Sequence, residues 1–309
     1  MCLIDDLVTE FSKSKNEILE YSFVAPNKYK VYKIPKRKTG ERVIAQPTKE
    51  LKSFQRYIVN KKLNILPIHN CAFAYVKLKN IKENANQHKS NSYLLNMDLE
   101  DFFNSITPSL FWKVWGRILI NLPDLEDRKL YENFLFWKPK KFSNKLILSI
   151  GAPSSPFISN FILYELDDFL FEFCKINSIT YSRYADDLTF STNIKDILFS
   201  IPNEVESKIL ELYEGAINLN TSKTYFSSKA RNRHVTGLVL SNDGKISIGR
   251  SKKKFVKHLI FQYMLNRLNH EEILFLRGYL NFIKDVEPEY ISILKRKYSD
   301  NLILRIMVD

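Results

Sequence analysis

Three carboxylates carry the chemistry open to this sequence: Asp98, and much further along the chain the adjacent pair Asp186 and Asp187. Neighbouring carboxylates repel, and a divalent cation is the usual relief. The pair lies in Ser182-Arg183-Tyr184-Ala185-Asp186-Asp187-Leu188-Thr189-Phe190-Ser191. Tyr181, Arg183, Leu188 and Phe190 suit strands, and Ala-Asp-Asp suits the tight turn between them. Taken alone, an Asp-Asp pair is more often a solvated turn. Asp98 closes the apolar run Ser92-Tyr-Leu-Leu-Asn-Met-Asp98. A carboxylate ending a buried strand is costly unless it is paired or metal-bound. The other role for an acid here, capping a helix from Phe102 onward, better suits Asp101. If the two strand elements are neighbours in one sheet, the three acids converge. Such a cluster binds two divalent ions that activate a 3′-terminal oxygen and stabilise a leaving pyrophosphate. The catalysis would be phosphoryl-transfer electrostatics rather than covalent chemistry.

The elements that must position these acids follow from periodicity. Residues 3–20 space Leu3, Leu7, Val8, Phe11, Ile18 and Leu19 as one or two amphipathic helices. Residues 29–47 alternate as a hairpin whose tip holds Lys36, Arg37, Lys38 and Gly40, with Arg42 just beyond. Those cations could close over a triphosphate or form a solvated charged turn. A helix from Leu51 turns Leu51, Phe54, Ile58 and Leu63 inward. Residues 68–92 are polar and irregular, with a helical piece around Ile81 to Ala85. Residues 107–137 read as helices, 138–145 as a basic turn, and Ile150-Gly-Ala-Pro-Ser-Ser-Pro156 as a loop before one long helix from Phe157. Residues 202–217 form a further helix and Leu219 to Thr224 a turn. His234 to Leu240 pairs with Ile246 to Ile248 through Asn242-Asp-Gly-Lys. From Arg250 the chain is helical and basic, with Lys252, Lys253, Lys254, Lys257 and Arg267 outward and Phe255, Leu259, Tyr263 and Leu276 inward.

Bulk properties restrict the class. The 309 residues carry 47 Lys plus Arg against 34 Asp plus Glu, a formal charge of +13. That excess attracts a polyanion such as nucleic acid, or marks a merely soluble basic protein. A hydrophobic content of 45% excludes a disordered chain. Cys2, Cys71 and Cys174 are widely spaced and odd in number, so neither a disulfide framework nor a zinc site is expected and a reducing cytoplasm is. The start of the chain lacks a signal-peptide pattern. No apolar run approaches the ~20 residues of a membrane span, so no membrane partner is expected.

Four motifs in order carry a resemblance to reverse transcriptases. Tyr184-Ala-Asp-Asp187 resembles their catalytic motif, and Asn96-Met-Asp98-Leu-Glu-Asp-Phe-Phe103 their first carboxylate motif. Gly151-Ala-Pro-Ser-Ser-Pro156 is similar to the loop that supports template and incoming nucleotide. Arg42-Val-Ile-Ala-Gln-Pro47, with Leu51, Lys52 and Gln55, is similar to the fingers motif. The match runs over roughly residues 28–240. Asn84-Ala-Asn-Gln-His88 and Val235-Thr-Gly237 further resemble elements of the retron enzymes.

The resemblance implies an α+β right-hand polymerase fold with fingers, an antiparallel-sheet palm and a helical thumb. Fingers are expected in residues 1–92, the palm in 93–240 with a helical fingers insertion around 107–150, and a basic thumb in 241–309. It implies an RNA-directed DNA polymerase using two Mg2+ ions, with Asp98, Asp186 and Asp187 as catalytic metal ligands and the Leu99 carbonyl as a further one. Nucleotide contacts would come from Arg42, Lys36 or Lys38, Gly151, Lys223 as donor of a proton to pyrophosphate, and Phe103 as a gate against a ribose 2′-OH. Asn84, His88, Val235, Thr236 and Gly237 would engage a cognate non-coding RNA, and thumb residues Lys252, Lys253 and Lys257 would grip its stem-loop. For His88 a structural hydrogen-bonding duty is the other option. Retron membership also implies self-priming from a 2′-OH, a branched RNA–DNA product (msDNA) and anti-phage defence with a neighbouring effector protein. Two alternatives stay open: another small bacterial reverse transcriptase of intron or abortive-infection type, or an RNA-binding scaffold that restrains an effector. The sequence departs from many relatives at Ile150, where they have Gln, and at Ala74, where they often have Gly.

Overall fold

The computed structural model describes residues 2–35, 40–140 and 143–308, so Lys36, Arg37 and Lys38 of the hairpin tip lie outside the described residues. The N-terminal part packs helices around a hairpin. Helices α1 (Leu3–Phe11) and α2 (Lys15–Val24) come first, the second started by a Ser14–Glu17 capping box. Strands β1 (Tyr29–Pro35) and β2 (Glu41–Pro47) pair antiparallel, with Tyr29 opposite Pro47 and Pro35 opposite Glu41. Thr48 caps α3 (Lys49–Lys61), which buries Leu51, Phe54, Gln55 and Ile58 on one stripe. Helix α4 (Ile81–His88) then leads into β3 (Tyr93–Asp98).

After β3, short α5 (Phe102–Ser105) precedes α6 (Pro108–Leu119) and α7 (Leu125–Leu135). Asp101 occupies the N-cap position of α5, but its side chain caps no backbone amide and instead accepts a hydrogen bond from Asn104. The expected long helix from Phe157 is two helices, α8 (Ser155–Ile162) and α9 (Tyr164–Ile176), because Leu163 leaves the helical region at φ −89°, ψ 4°. Strands β4 (Thr180–Tyr184) and β5 (Asp187–Thr192) follow, then α10 (Ile201–Tyr213) and β6 (Tyr225–Ser228).

The central sheet has the order β4-β5-β3-β6, all antiparallel. Successive residues of a strand face opposite sides, and directly paired residues share a side. One face is therefore apolar: Leu95 and Met97 of β3, Leu188 and Phe190 of β5 and Tyr181 of β4 join the main core. The other face carries Asn96, Asp98, Asp187, Thr189, Ser191 and Ser182, a polar surface interrupted by Leu94, which is paired with Ser191.

A second core forms beyond β6. The segment His234 to Leu240 is not one strand but a hairpin, β7 (Arg233–Val235) and β8 (Leu238–Leu240), and β9 (Ile246–Ser247) pairs with β8. The reversal falls at Thr236 and Gly237, whose φ values are 47° and 78°. Helices α11 (Arg250–Met264), α12 (His270–Val286), α13 (Pro288–Tyr298) and α14 (Asp300–Val308) complete this core. Val235, Leu238, Leu259, Leu276 and Leu280 are buried in it together with Ala85 of α4 and Leu94 of β3. Phe255, expected inward, is 48% exposed on α11 and meets Phe275 edge-on at the surface. No helix among the described residues is long and apolar enough to cross a membrane.

Candidate active site

The polar face of the central sheet gathers the three aspartates at one end. Asp98 is the last residue of β3 and Asp187 the first of β5, and the two stand directly opposite in register. Asp186 fills the two-residue turn between β4 and β5 with Ala185. The Leu99 amide donates to the Asp186 carbonyl at 3.1 Å, and the Asn220 amide to the Asp98 carbonyl at 2.7 Å, so both carboxylate-bearing segments are fixed by backbone. The sequence expectation that these acids converge is thus met by the strand pairing.

Convergence strains their electrostatics. Burial, followed by the negative charges of Asp186 and Asp98, pushes the Asp187 carboxyl up to about 7. Burial and Asp98 also raise Asp186, against the pull of Lys223 and Arg42. The Lys223 ammonium lies 2.9 and 2.8 Å from the two oxygens of Asp98. Acids crowded together where burial and mutual repulsion disfavour their charged forms, with a lysine drawn against one of them, are short of positive charge, and this chemistry fits hard divalent cations with oxygen ligands. Among the described residues, the one trio whose ligand atoms all lie within 4.8 Å of each other is elsewhere: Cys2, Asp124 and Asp127. That trio is explained by helix capping. Asp127 accepts from the Leu3 amide and the Cys2 thiol, and Asp124 accepts from the Asp127 amide.

Around the aspartates stand the other expected residues. Arg42 projects from exposed β2 with its charge felt at Asp186. Gly151 has φ 116°, and a Cβ there would meet Ile44 Cγ2 at 3.1 Å and the Ala45 carbonyl at 3.3 Å. The Ile150 carbonyl accepts from the Ala45 amide at 2.9 Å, so this loop lies against β2 through its backbone and the Ile150 side chain does not decide that contact. Phe103 is half-buried, its ring edge-on to Phe102 at 5.6 Å.

Asn84 and His88 are fully buried, and for His88 the contacts are those of the structural hydrogen-bonding option. His88 bridges the Ser191 and Ser182 hydroxyls at 2.7 Å each, and Ser182 donates to Asn84 at 2.6 Å. Burial drives the imidazole down to about 3, so it is neutral. The element is a buried polar strut between α4 and the hairpin that bears Asp186 and Asp187. Val235 is likewise buried. Thr236 donates to the Ile81 carbonyl at 3.2 Å, and Gly237 accepts from Lys252 at 2.7 Å. Lys253 is paired with Glu287 and lies over the Tyr290 ring, with Lys257 near the same ring. Arg250, Lys253, Lys254 and Lys257 line a cavity of about 410 Å3 on α11.

Sequence reasoning passed over Arg183, Asp167 and Asn160, which form a buried network behind the turn that bears Asp186. The available signal was parity: Arg183 shares the inward side of β4 with Tyr181, and Asp167 interrupts an otherwise apolar helix face.

An antiparallel sheet with acids at one end, helices behind it and a separate helical bundle beside it defines a polymerase of the right-hand class. The family model described as "Reverse transcriptase (RNA-dependent DNA polymerase)" matches residues 34–240. The chain is 45% identical over 276 residues to the Retron Ec83 reverse transcriptase of Escherichia coli, covering 89% of this chain and 88% of that one. The Retron Ec73 and Retron Ec86 reverse transcriptases of Escherichia coli are 34% and 32% identical, with 88% and 85% of their lengths covered. In fold the chain resembles telomerase from Candida albicans, solved in complex with a fragment of telomeric RNA, with a TM-score of 0.50 and 15% identity. That likeness spans 91% of this chain and 61% of the telomerase chain. The chain belongs to the retron reverse transcriptases and is an RNA-directed DNA polymerase.

Proposed function

We propose that Asp98, Asp186 and Asp187 are the catalytic carboxylates of this polymerase, on the observation that Asp98 and Asp187 face each other across β3 and β5 with Asp186 beside them. Two Mg2+ ions held by these side chains and the Leu99 carbonyl would supply activation of the primer hydroxyl and charge against the triphosphate. Arg42, with Lys38 of the hairpin tip, binds the triphosphate from the fingers side, and Gly151 lets the 150–156 loop lie close under template and nucleotide. Phe103 meets the sugar where a 2′-OH would stand. Lys223, adjoining Asp98, is within reach to protonate the leaving pyrophosphate. Residues 1–92 act as fingers, 93–240 as palm with the 107–150 insertion, and 241–309 as thumb.

The template is a structured non-coding RNA dedicated to this enzyme. Synthesis starts from a 2′-OH of that RNA and leaves a branched RNA–DNA product, msDNA. The product serves anti-phage defence in the cytoplasm with a neighbouring effector protein. Similarity to proteins named as retron reverse transcriptases supports this reading. The α11 groove of Arg250, Lys253, Lys254 and Lys257 supports a second duty as a scaffold that keeps the product bound. The test is primer extension with purified enzyme, its RNA and dNTPs, followed by sequencing of the co-purifying nucleic acid. Asp186→Asn with Asp187→Asn abolishes cDNA; cDNA from that variant refutes the metal assignment. A purely linear product refutes self-priming.

A further inference from the structure

The turn that presents Asp186 and Asp187 is held from behind by a buried guanidinium. Arg183 is fully buried and bound on every side. Its Nε donates to Asp167 Oδ1 and Oδ2 at 2.8 and 3.0 Å, and Nη2 to Oδ2 at 2.6 Å. The same Asp167 accepts from the Tyr181 hydroxyl at 2.9 Å. Nη1 is turned the other way, to the Ala185 carbonyl at 2.9 Å and Asn160 Oδ1 at 3.0 Å. Asn160 in turn donates to the Ala74 carbonyl at 3.0 Å.

Ala185 is the residue that needs holding. It is the first of the two turn residues, with φ 57°, a region that L side chains occupy at a cost and that glycine favours. A planar guanidinium bonds a carboxylate bidentately while keeping a further donor for a third group, and an ammonium cannot reproduce that fork. We propose that Arg183, oriented by Asp167 of α9 and Asn160 of α8, is a positioning residue. By gripping the Ala185 carbonyl it sets the turn and so the direction of the Asp186 and Asp187 carboxylates. It touches neither substrate nor metal. The proposal rests on the reading of Asp186 and Asp187 as metal ligands.

Two variants test it. Arg183→Lys keeps the charge beside Asp167 but cannot serve Asp167, Asn160 and Ala185 together. The triple variant Arg183→Met, Asp167→Leu, Tyr181→Phe replaces the buried polar set by apolar groups of similar size, an exchange that proteins often tolerate in folding. Each is measured for thermal melting, template–primer affinity, kcat, KM for dNTP and the Mg2+ concentration giving half-maximal rate. Both variants retain template–primer affinity, and the folded triple variant melts near the wild type. In both, kcat falls about 10- to 100-fold and half-saturation with Mg2+ moves to higher concentration, the scale on which orienting partners of metal ligands act. Unchanged kcat and Mg2+ dependence in either folded variant overturns the proposal, as does a loss of activity accounted for wholly by loss of folded protein. An inactive wild type, or an active Asp186→Asn, Asp187→Asn variant, instead defeats the underlying site assignment.

Discussion

Replacing His88 by Gln removes a pH-dependent part of the stability. The imidazole is fully buried, is hydrogen-bonded only to hydroxyls in this network, and is held near pKa 3 against an ordinary 6.5. A neutral ring has one donor and one acceptor, so one serine must donate and the other accept. Protonation would force both ring nitrogens to donate and bury an uncompensated charge. Between pH 6.5 and 3 the unfolded chain binds a proton at His88 that the folded chain refuses. This contribution is therefore complete above pH 6.5 and declines as pH falls, by about 1.4 kcal/mol per pH unit. At pH 5 the loss from this group is about 2 kcal/mol, and it reaches about 4 kcal/mol at pH 3. His88→Gln costs about 1–3 kcal/mol at neutral pH, since an amide cannot span both hydroxyls as the ring does. Its stability curve lacks the His88 slope. The assay is urea unfolding of both proteins at pH 7.5, 6 and 5. The wild type loses about 2 kcal/mol more than the variant between the first and last. Parallel pH profiles would refute the assignment of His88 as a neutral buried strut.

On the proposed role of Phe103 as a gate against a ribose 2′-OH, Phe103→Val raises ribonucleotide incorporation about 10-fold or more relative to deoxynucleotide, read by competing rNTP and dNTP in primer extension. Gly151→Ala brings a Cβ to 3.1 Å from Ile44 and 3.3 Å from the Ala45 carbonyl at a φ of 116°. It destabilises by about 1–3 kcal/mol in thermal melts and raises KM for dNTP as the loop shifts from β2. Lys254→Ala with Lys257→Ala weakens RNA binding without regard to sequence and lowers the slope of log affinity against log salt by about 1–2, while kcat on a saturating template–primer is unchanged.

Most of the acidic end of the sheet could be read from residue types. Asp98 closes an apolar run and Asp187 opens the return of a hairpin, so pairing those strands brings the acids together with no further information. The hairpin of β1 and β2 was equally legible, because alternation and a Gly-containing tip leave little choice. The burial of Asn84 and His88 was hidden for a physical reason. Ile81, Asn84, Ala85 and His88 fall on one helical stripe, but half of that stripe is polar, and polarity looks like surface until its partners Ser182 and Ser191 are known. The break at Leu163 has no breaker residue behind it; an apolar run of that length does not say where two helices must diverge to follow the sheet. The turn at Thr236 and Gly237 was hidden because alternation continues through both strands of a short hairpin. Arg183 was counted among strand-forming residues, and its burial depends on Asp167, which is distant enough in sequence that no spacing rule joins them.

Helix α4 gives both halves of the molecule a common wall. Its Asn84 and His88 are bonded into the β4–β5 hairpin, while Ile81 and Ala85 lie in the C-terminal core, Thr236 holds the Ile81 carbonyl, and Lys82 reaches the Asp285 carbonyl of α12. A C-terminal helical bundle borrowed from a relative would thus find its mating surface not at a linker near residue 240 but on a helix laid down long before it in the chain. Such a chimaera joins cleanly only if α4 travels with the graft, and α4 travels only if Ser182 and Ser191 are there to receive it. The three segments are interlocked parts, and exchange among enzymes of this kind has to move them as a set.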